Sequence, residues 1–329
     1  MNLRLTILVL TLIGLLVHRP ESEAAPQGHP APQPSAAADH VILFVLEGVD
    51  RQSLKTGPMP ALSRLAKEGA ATWSAGTVTS SSRLPAMASL LTGLPVEKHG
   101  ITWDTFEFSR GYPRPPTIFD YLDLSGGRDS AIFFMDESLY QLAKPEPYTD
   151  YQVCGPLKPE CSPDRLVSYI KQYIRKADSG QGYGHAILAL PHLLVVHLPD
   201  GARAGIEHGW SSGSYRTALR SVDQAMESVL TIFKNHGLLT RTTVFVTSLS
   251  GTGAAPGQST TASTLVPWIA SGAGIKHGHA IHQPVSIVDT GATVLRALRL
   301  ETHTEWDSRA VEEIFRDAPG VATIATKGR

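Results

Sequence analysis

Ser80, Ser81 and Ser82 set three hydroxyls beside the guanidinium of Arg83, two residues ahead of Pro85. A serine attacks when a neighbouring base or metal takes its proton, and Ser82 is the candidate for that role. Arg83 cannot be a nucleophile, because it stays protonated at every accessible pH. Asp200 and His208 add a carboxylate and an imidazole in PDGARAGIEHGW, and Glu47 adds a second carboxylate in HVILFVLEGV. Glu47, Asp200 and His208 together form a set that could hold one metal ion beside Ser82. The plainer reading makes them a strand-end acid, a second such acid and an exposed loop imidazole, with the serines as a solvated turn. His277, His279 and His282 alternate in HGHAIH, a loop spacing that picks up adventitious nickel or zinc. Cys154 and Cys161 enclose a short loop, and in an oxidising compartment their disulfide would contribute about 2.5 kcal/mol. Two sulfurs alone cannot make a zinc site. The chain has neither a G-x-S-x-G elbow nor a G-x-x-x-x-G-K-[ST] phosphate loop.

The whole chain of 329 residues is 42% hydrophobic and 18% charged, with a net charge of −1. Such a composition supports one large α/β domain or two small ones. Without a strong net charge there is no long-range field for nucleic acid, and no nucleic-acid partner is expected. At the N-terminus Arg4 precedes the apolar run Leu5–Val17, followed by the small-residue site Ser22-Glu23-Ala24. Residues 1–24 read as a signal peptide, since the run is shorter than the roughly 20 residues that span a bilayer. The mature protein is therefore expected to be secreted or periplasmic and to lack a membrane span, with an uncleaved anchor as the alternative. Residues 25–39 form a Pro/Ala-rich linker, the folded domain is expected over 40–318, and 319–329 is a tail.

The elements that must position these residues follow from hydrophobic pattern. HVILFVL (40–46), SAIFFM (130–135), LLVVHL (193–198), TTVFVT (242–247) and 266–270 read as strands, most of them buried on both faces. Helical spacing marks 60–69, 87–91, 116–124, 164–175, 214–233 and 285–298. Strands alternating with helices predict an α/β fold, a mostly parallel central sheet with helices on both faces. Chemistry in that architecture sits at the carboxyl ends of strands, here just after Leu46, Leu198 and Thr247.

Those strand ends carry a family pattern. HVILFVLEGV, SRLPAMASLLTGLPVEKHGITWD, VVHLPDGARAGIEHGWSSGSYRTALRSVD, TTVFVTSLSGTG and GQSTTASTLVPWIASGAGIKHG follow one another in the order found in the alkaline phosphatase superfamily. The match resembles its type I phosphodiesterase branch most and runs from about His40 to Phe315. The resemblance implies an alkaline phosphatase-like fold. It also implies two zinc ions, held by Asp and His ligands beside a Ser or Thr nucleophile. Position by position, the nucleophile falls on Arg83, and the metal ligands fall on Glu47, Ala202, Ile206, Leu249, Ser250 and Gln258. Leu, Ile and Ala offer no donor atom, so no bound metal or other cofactor is expected and no catalytic residue.

The expectation is a pseudoenzyme, a non-catalytic binding protein with an unassigned ligand in the former cleft. Arg83 and Arg203 would suit an anion there. A Glu47–Arg83 ion pair should take the place of the first metal, with Leu249 and Ile206 packing where a hydrated pocket would sit. The rival expectation is a metal-dependent phosphoric ester hydrolase with a rebuilt site.

Overall fold

In the computed structural model, which describes residues 38–78, 82–145, 147–153, 161–183, 186–253 and 263–317, ten strands and nine α-helices are defined among those residues. The strands are β1 (His40–Leu46), β2 (Ala70–Gly76), β3 (Ser130–Phe134), β4 (Thr149–Val153), β5 (Gly182–Tyr183), β6 (Ala186–Ile187), β7 (Leu193–Leu198), β8 (Thr242–Ser248), β9 (Leu265–Gly272) and β10 (His279–Ala280). The helices are α1 (Ser53–Thr56), α2 (Pro60–Glu68), α3 (Arg83–Thr92), α4 (Val96–His99), α5 (Ile118–Leu124), α6 (Pro163–Asp178), α7 (Asp200–His208), α8 (Gly213–Asn235) and α9 (Asp289–Ala297). Eight strands make one sheet in the order β10-β2-β9-β8-β1-β7-β3-β4, and β5 pairs with β6 apart from it.

Every residue of β1 is buried, and the reason is its place in this order. Successive side chains of a strand point to opposite faces. Val41, Leu43 and Val45 therefore enter one core with α3, α5 and α9, while Ile42, Phe44 and Leu46 enter a second with α2, α6 and α8. A strand covered by helices on both sides has no polar face to offer. β1 runs parallel to both neighbours, and Leu46 is level with Leu198 of β7 and Ser248 of β8. Three strand ends thus open onto one edge of the sheet, with β3 beside β7 adding a fourth.

One strand departs from the parallel pattern. β9 pairs antiparallel with both β8 and β2, so it alone in the eight-stranded sheet runs against the rest. The sequence expectations did not include β2, β4 and α7, nor the short elements α1, α4, β5, β6 and β10. α3 also begins at Arg83, four residues ahead of the expected 87, because Asp104 Oδ1 accepts from Leu84 N–H at 2.7 Å and satisfies a donor of the first turn. Across the other face, the buried Asp223 of α8 accepts from Ala61 and Leu62 N–H at 3.0 and 2.9 Å, capping α2 from a distant helix. Among the described residues no helix is long and apolar enough to cross a membrane. The Cys154–Cys161 pairing, the domain ends at 1–37 and 318–329, and Gln258 fall outside the described residues.

Candidate functional site

Strand parity decides what meets at the open edge. Continuing the alternation of β1, Glu47 leaves the sheet on the face of Val41, Leu43 and Val45, the face covered by α3. His197 lies on that same face of β7, edge-on to Phe134 with ring centroids 6.2 Å apart. Arg83 begins α3 directly above them. Its Nε donates to Glu47 Oε1 at 2.5 Å, its Nη2 to Glu47 Oε2 at 3.1 Å and its Nη1 to Asp136 Oδ2 at 2.8 Å. The Glu47–Arg83 pair expected from the sequence is therefore present as a two-pronged contact, the geometry a guanidinium makes with a carboxylate.

Two residues complete the network without any signal from the motifs. His197 Nδ1 accepts from Met135 N–H at 3.3 Å, which assigns the ring proton to Nε2 and makes that atom the donor to Glu47 Oε1 at 2.7 Å. Asp136 follows the end of β3, and its Oδ1 accepts from the N–H and hydroxyl of Ser138 at 3.0 and 2.7 Å. Arg203 of α7 donates through Nη2 to the Met135 carbonyl and to Asp136 Oδ2, the latter at 3.3 Å. Burial pushes the Glu47 carboxyl up, but the His197 hydrogen bond and the Arg83 charge outweigh it and hold the group below the ordinary carboxylate range. Burial likewise opposes ionisation of Asp136, and Arg83 overrides it. Burial holds the His197 imidazole below its usual value, with Glu47 pulling the other way. The cluster is two ionised acids against two arginines, with a neutral histidine between: it is already balanced.

The other candidates sit around this core in separate ways. Asp200 opens α7 with its Oδ2 buried and without a hydrogen-bond partner, and burial raises its carboxyl, with Arg203 partly offsetting. His208 is exposed at the far end of the same helix, so with a rise of about 1.5 Å per residue it stands roughly 12 Å along the axis from Asp200. Glu47, Asp200 and His208 do not converge, and no group of three His, Cys, Asp or Glu among the described residues is arranged to hold a metal ion. Ser82 is the N-cap residue of α3. Ser250 turns its oxygens back onto the chain, its Oγ accepting from Gly48 N–H at 3.2 Å. Leu249 is buried in the α3-side core, as expected, but Ile206 is 71% exposed. The expectation that Ile206 packs in the cleft fails because its position on α7 points to solvent. The indole of Trp210 lies there instead: a Cβ on Gly48 or Gly205 would come within 2.8 and 2.3 Å of its ring.

The profile of the type I phosphodiesterase/nucleotide pyrophosphatase family matches residues 41–317. The chain belongs to that family. Comparison with curated proteins finds no sequence match. Among solved structures, human ectonucleotide pyrophosphatase/phosphodiesterase 5 superposes with a TM-score of 0.65 at 13% identity, covering 84% of this chain and 100% of that one. The murine ectonucleotide pyrophosphatase/phosphodiesterase 5 gives 0.64 at 13% identity over 80% of this chain and 96% of that chain. A 2-O GAG sulfatase gives 0.63 at 12% identity, over 83% of this chain and 73% of its own. These likenesses establish the alkaline phosphatase-like fold, and with the family match they place the type I phosphodiesterase-like chain in the alkaline phosphatase superfamily.

Among the described residues, the positions onto which the resemblance carries the metal ligands do not offer the donors of a zinc pair. Glu47 has both oxygens engaged by Arg83 and one also by His197. Ala202 and Leu249 carry no donor, Ile206 faces away, and the Ser250 hydroxyl accepts from a backbone N–H. Arg83 stands where the nucleophile is expected, its guanidinium held charged by Glu47 against the opposing effect of burial. A divalent ion beside that charge would meet repulsion where it needs an anionic cage.

Proposed function

We propose that this member of the type I phosphodiesterase family is an exported, non-catalytic binding protein. Its strand-end cleft is held shut to metal by its own arginine. The observation that carries this reading is the two-pronged Arg83–Glu47 contact. It places a permanent cation where hydrolysis needs a nucleophile and a ligand. Supporting it, Leu249 is sealed in the core and Trp210 lies over Gly48 and Gly205. Export rests on the sequence of residues 1–24, and a disulfide between Cys154 and Cys161 would suit the same compartment.

The cleft offers limited purchase for an anion. Arg83 spends three of a guanidinium's five donors on Glu47 and Asp136, and Arg203 is turned to Asp136 and a carbonyl. An anionic ligand there has only the remaining N–H groups, so a largely neutral ligand or a protein surface is the better match.

The deciding experiment is metal content after incubation of the untagged protein with zinc and dialysis, paired with an assay on a nitrophenyl phosphodiester. Close to zero zinc per chain and no turnover above background are expected. Two retained zinc ions with measurable hydrolysis would overturn the proposal in favour of a rebuilt hydrolase.

A further inference from the structure

We propose a second, independent ligand site on this protein: a groove along the β2–β10 edge of the sheet that binds an acidic saccharide. The groove has a volume of about 590 Å³ and is lined by Arg51, Lys67, Thr72, Trp73, Ser74 and His279 together with small and aliphatic residues. That volume lies within the roughly 300–1,000 Å³ of small-molecule sites. No carboxylate is among the lining residues. His279 is engaged by Glu313 at 3.0 Å, whereas Arg51 and Lys67 have no ion-pair or side-chain hydrogen-bond partner among the described residues. In a chain whose positive and negative charges nearly cancel, two cations that line one cavity and have no acidic partner among the described residues are an anion-binding feature.

The backbone supplies the second, separate observation. β2 pairs with β9 as Thr72↔Trp268 and then Ala75↔Val266, so one extra residue is accommodated at Trp73–Ser74. A bulge of this kind breaks the ladder locally and re-aims side chains. Here Trp73, half-buried with part of its ring packed on the helix-covered core, lines the same cavity as the two cations, with Ser74 and with Thr72, whose Oγ1 accepts from Ser74 N–H at 3.2 Å. An indole face covers the C–H face of a sugar ring, hydroxyls exchange hydrogen bonds with sugar hydroxyls, and Arg51 and Lys67 meet a sulfate or carboxylate substituent. Nothing in this assignment depends on the state of the cleft at the strand ends.

The test is calorimetric titration of the full-length protein with a sulfated disaccharide, its unsulfated parent, inorganic sulfate and a nucleoside monophosphate. Saturable binding of the sulfated disaccharide is expected, weakening by about tenfold in each of Arg51→Ala, Lys67→Ala and Trp73→Ala and falling as salt is raised. Trp73→Phe, which keeps an aromatic face, should retain most of the affinity, and circular dichroism checks that each variant is folded. The proposal fails if the disaccharide shows no saturation at millimolar concentration, or if inorganic sulfate binds as well as the disaccharide. It also fails if the nucleoside monophosphate binds more tightly, or if the folded variants bind like wild type.

Discussion

Arg83 makes three charge-assisted hydrogen bonds to two acids, and its removal leaves the buried Glu47 with only the neutral His197 as partner and Asp136 with Arg203 as its remaining cation. Breaking a buried pair by deleting one partner costs about 3–5 kcal/mol. Arg83→Ala should lose stability of that order in urea unfolding, and Arg83→Lys should recover only part of it, since an ammonium cannot span both Glu47 oxygens. An Arg83→Ala variant as stable as wild type would falsify the view that this ion pair organises the strand ends. Two buried histidines add a pH signature. Burial pushes His99 down to about 4 and also lowers His197. His99 is held neutral by accepting from Ile101 N–H at 3.1 Å and by its contact with Ser89 Oγ at 2.8 Å. Between the folded and unfolded values the unfolded chain binds protons that the native chain does not. Stability is therefore complete above about pH 6.5 and falls as the pH drops, by roughly 1.4 kcal/mol per pH unit for each histidine. The lowered Glu47 carboxyl extends the loss below its ordinary value of about 4.5. Denaturation midpoints between pH 7 and 4 measure this directly, and His99→Gln should flatten the slope by about one proton.

At the scale of elements, one buried carboxylate ties two helices together. Asp223 of α8 caps the N-terminus of α2, whose first position is Pro60, and joins two helices of the same layer. Asp223→Ala leaves two buried N–H groups without acceptors and should cost about 2 kcal/mol by equilibrium denaturation, whereas the near-isosteric Asn should cost less. What the sequence made legible also divides by element. β1 and β7 are dominated by Val, Ile, Leu and Phe, β8 carries the β-branched and aromatic core TTVFVT, and α2 and α8 show clean helical stripes. β2 reads AATWSAG, where Thr72 and Trp73 favour a strand but the flanking Ala, Ser and Gly give no apolar alternation, and it is held extended by pairing with β9. α7 reads DGARAGIEH, where two glycines mask a helix that its packing against α8 sustains. Glu47 follows Leu46 at the strand end the α/β rule points to, and the same rule applied after Met135 points to Asp136. His197 had a signal too, as the one ionisable side chain in an otherwise apolar LLVVHL, placed by parity beneath Arg83.

For the molecule as a whole, the lack of an anionic cage among the described residues predicts indifference to metal. A protein whose native state alone binds an ion gains about 4 kcal/mol at a thousandfold excess over Kd. This chain should show a Tm change below about 1 °C when millimolar zinc or a chelator is added, measured by scanning calorimetry. A rise of many degrees with zinc would contradict the neutral-cluster reading. The shared guanidinium has one more consequence, and it concerns history. Changing Arg83 alone to a hydroxyl residue leaves the buried Glu47 without a cation, and placing an acid at Leu249 first inserts a carboxylate into an apolar core with nothing to neutralise it. Each single reversal toward hydrolysis loses stability before any chemistry returns, and neighbouring changes of this kind do not add independently. On the proposed non-catalytic reading, an arginine settled between its acids acts as a ratchet: gaining hydrolysis demands several substitutions at once, while drift toward new ligands demands none of them.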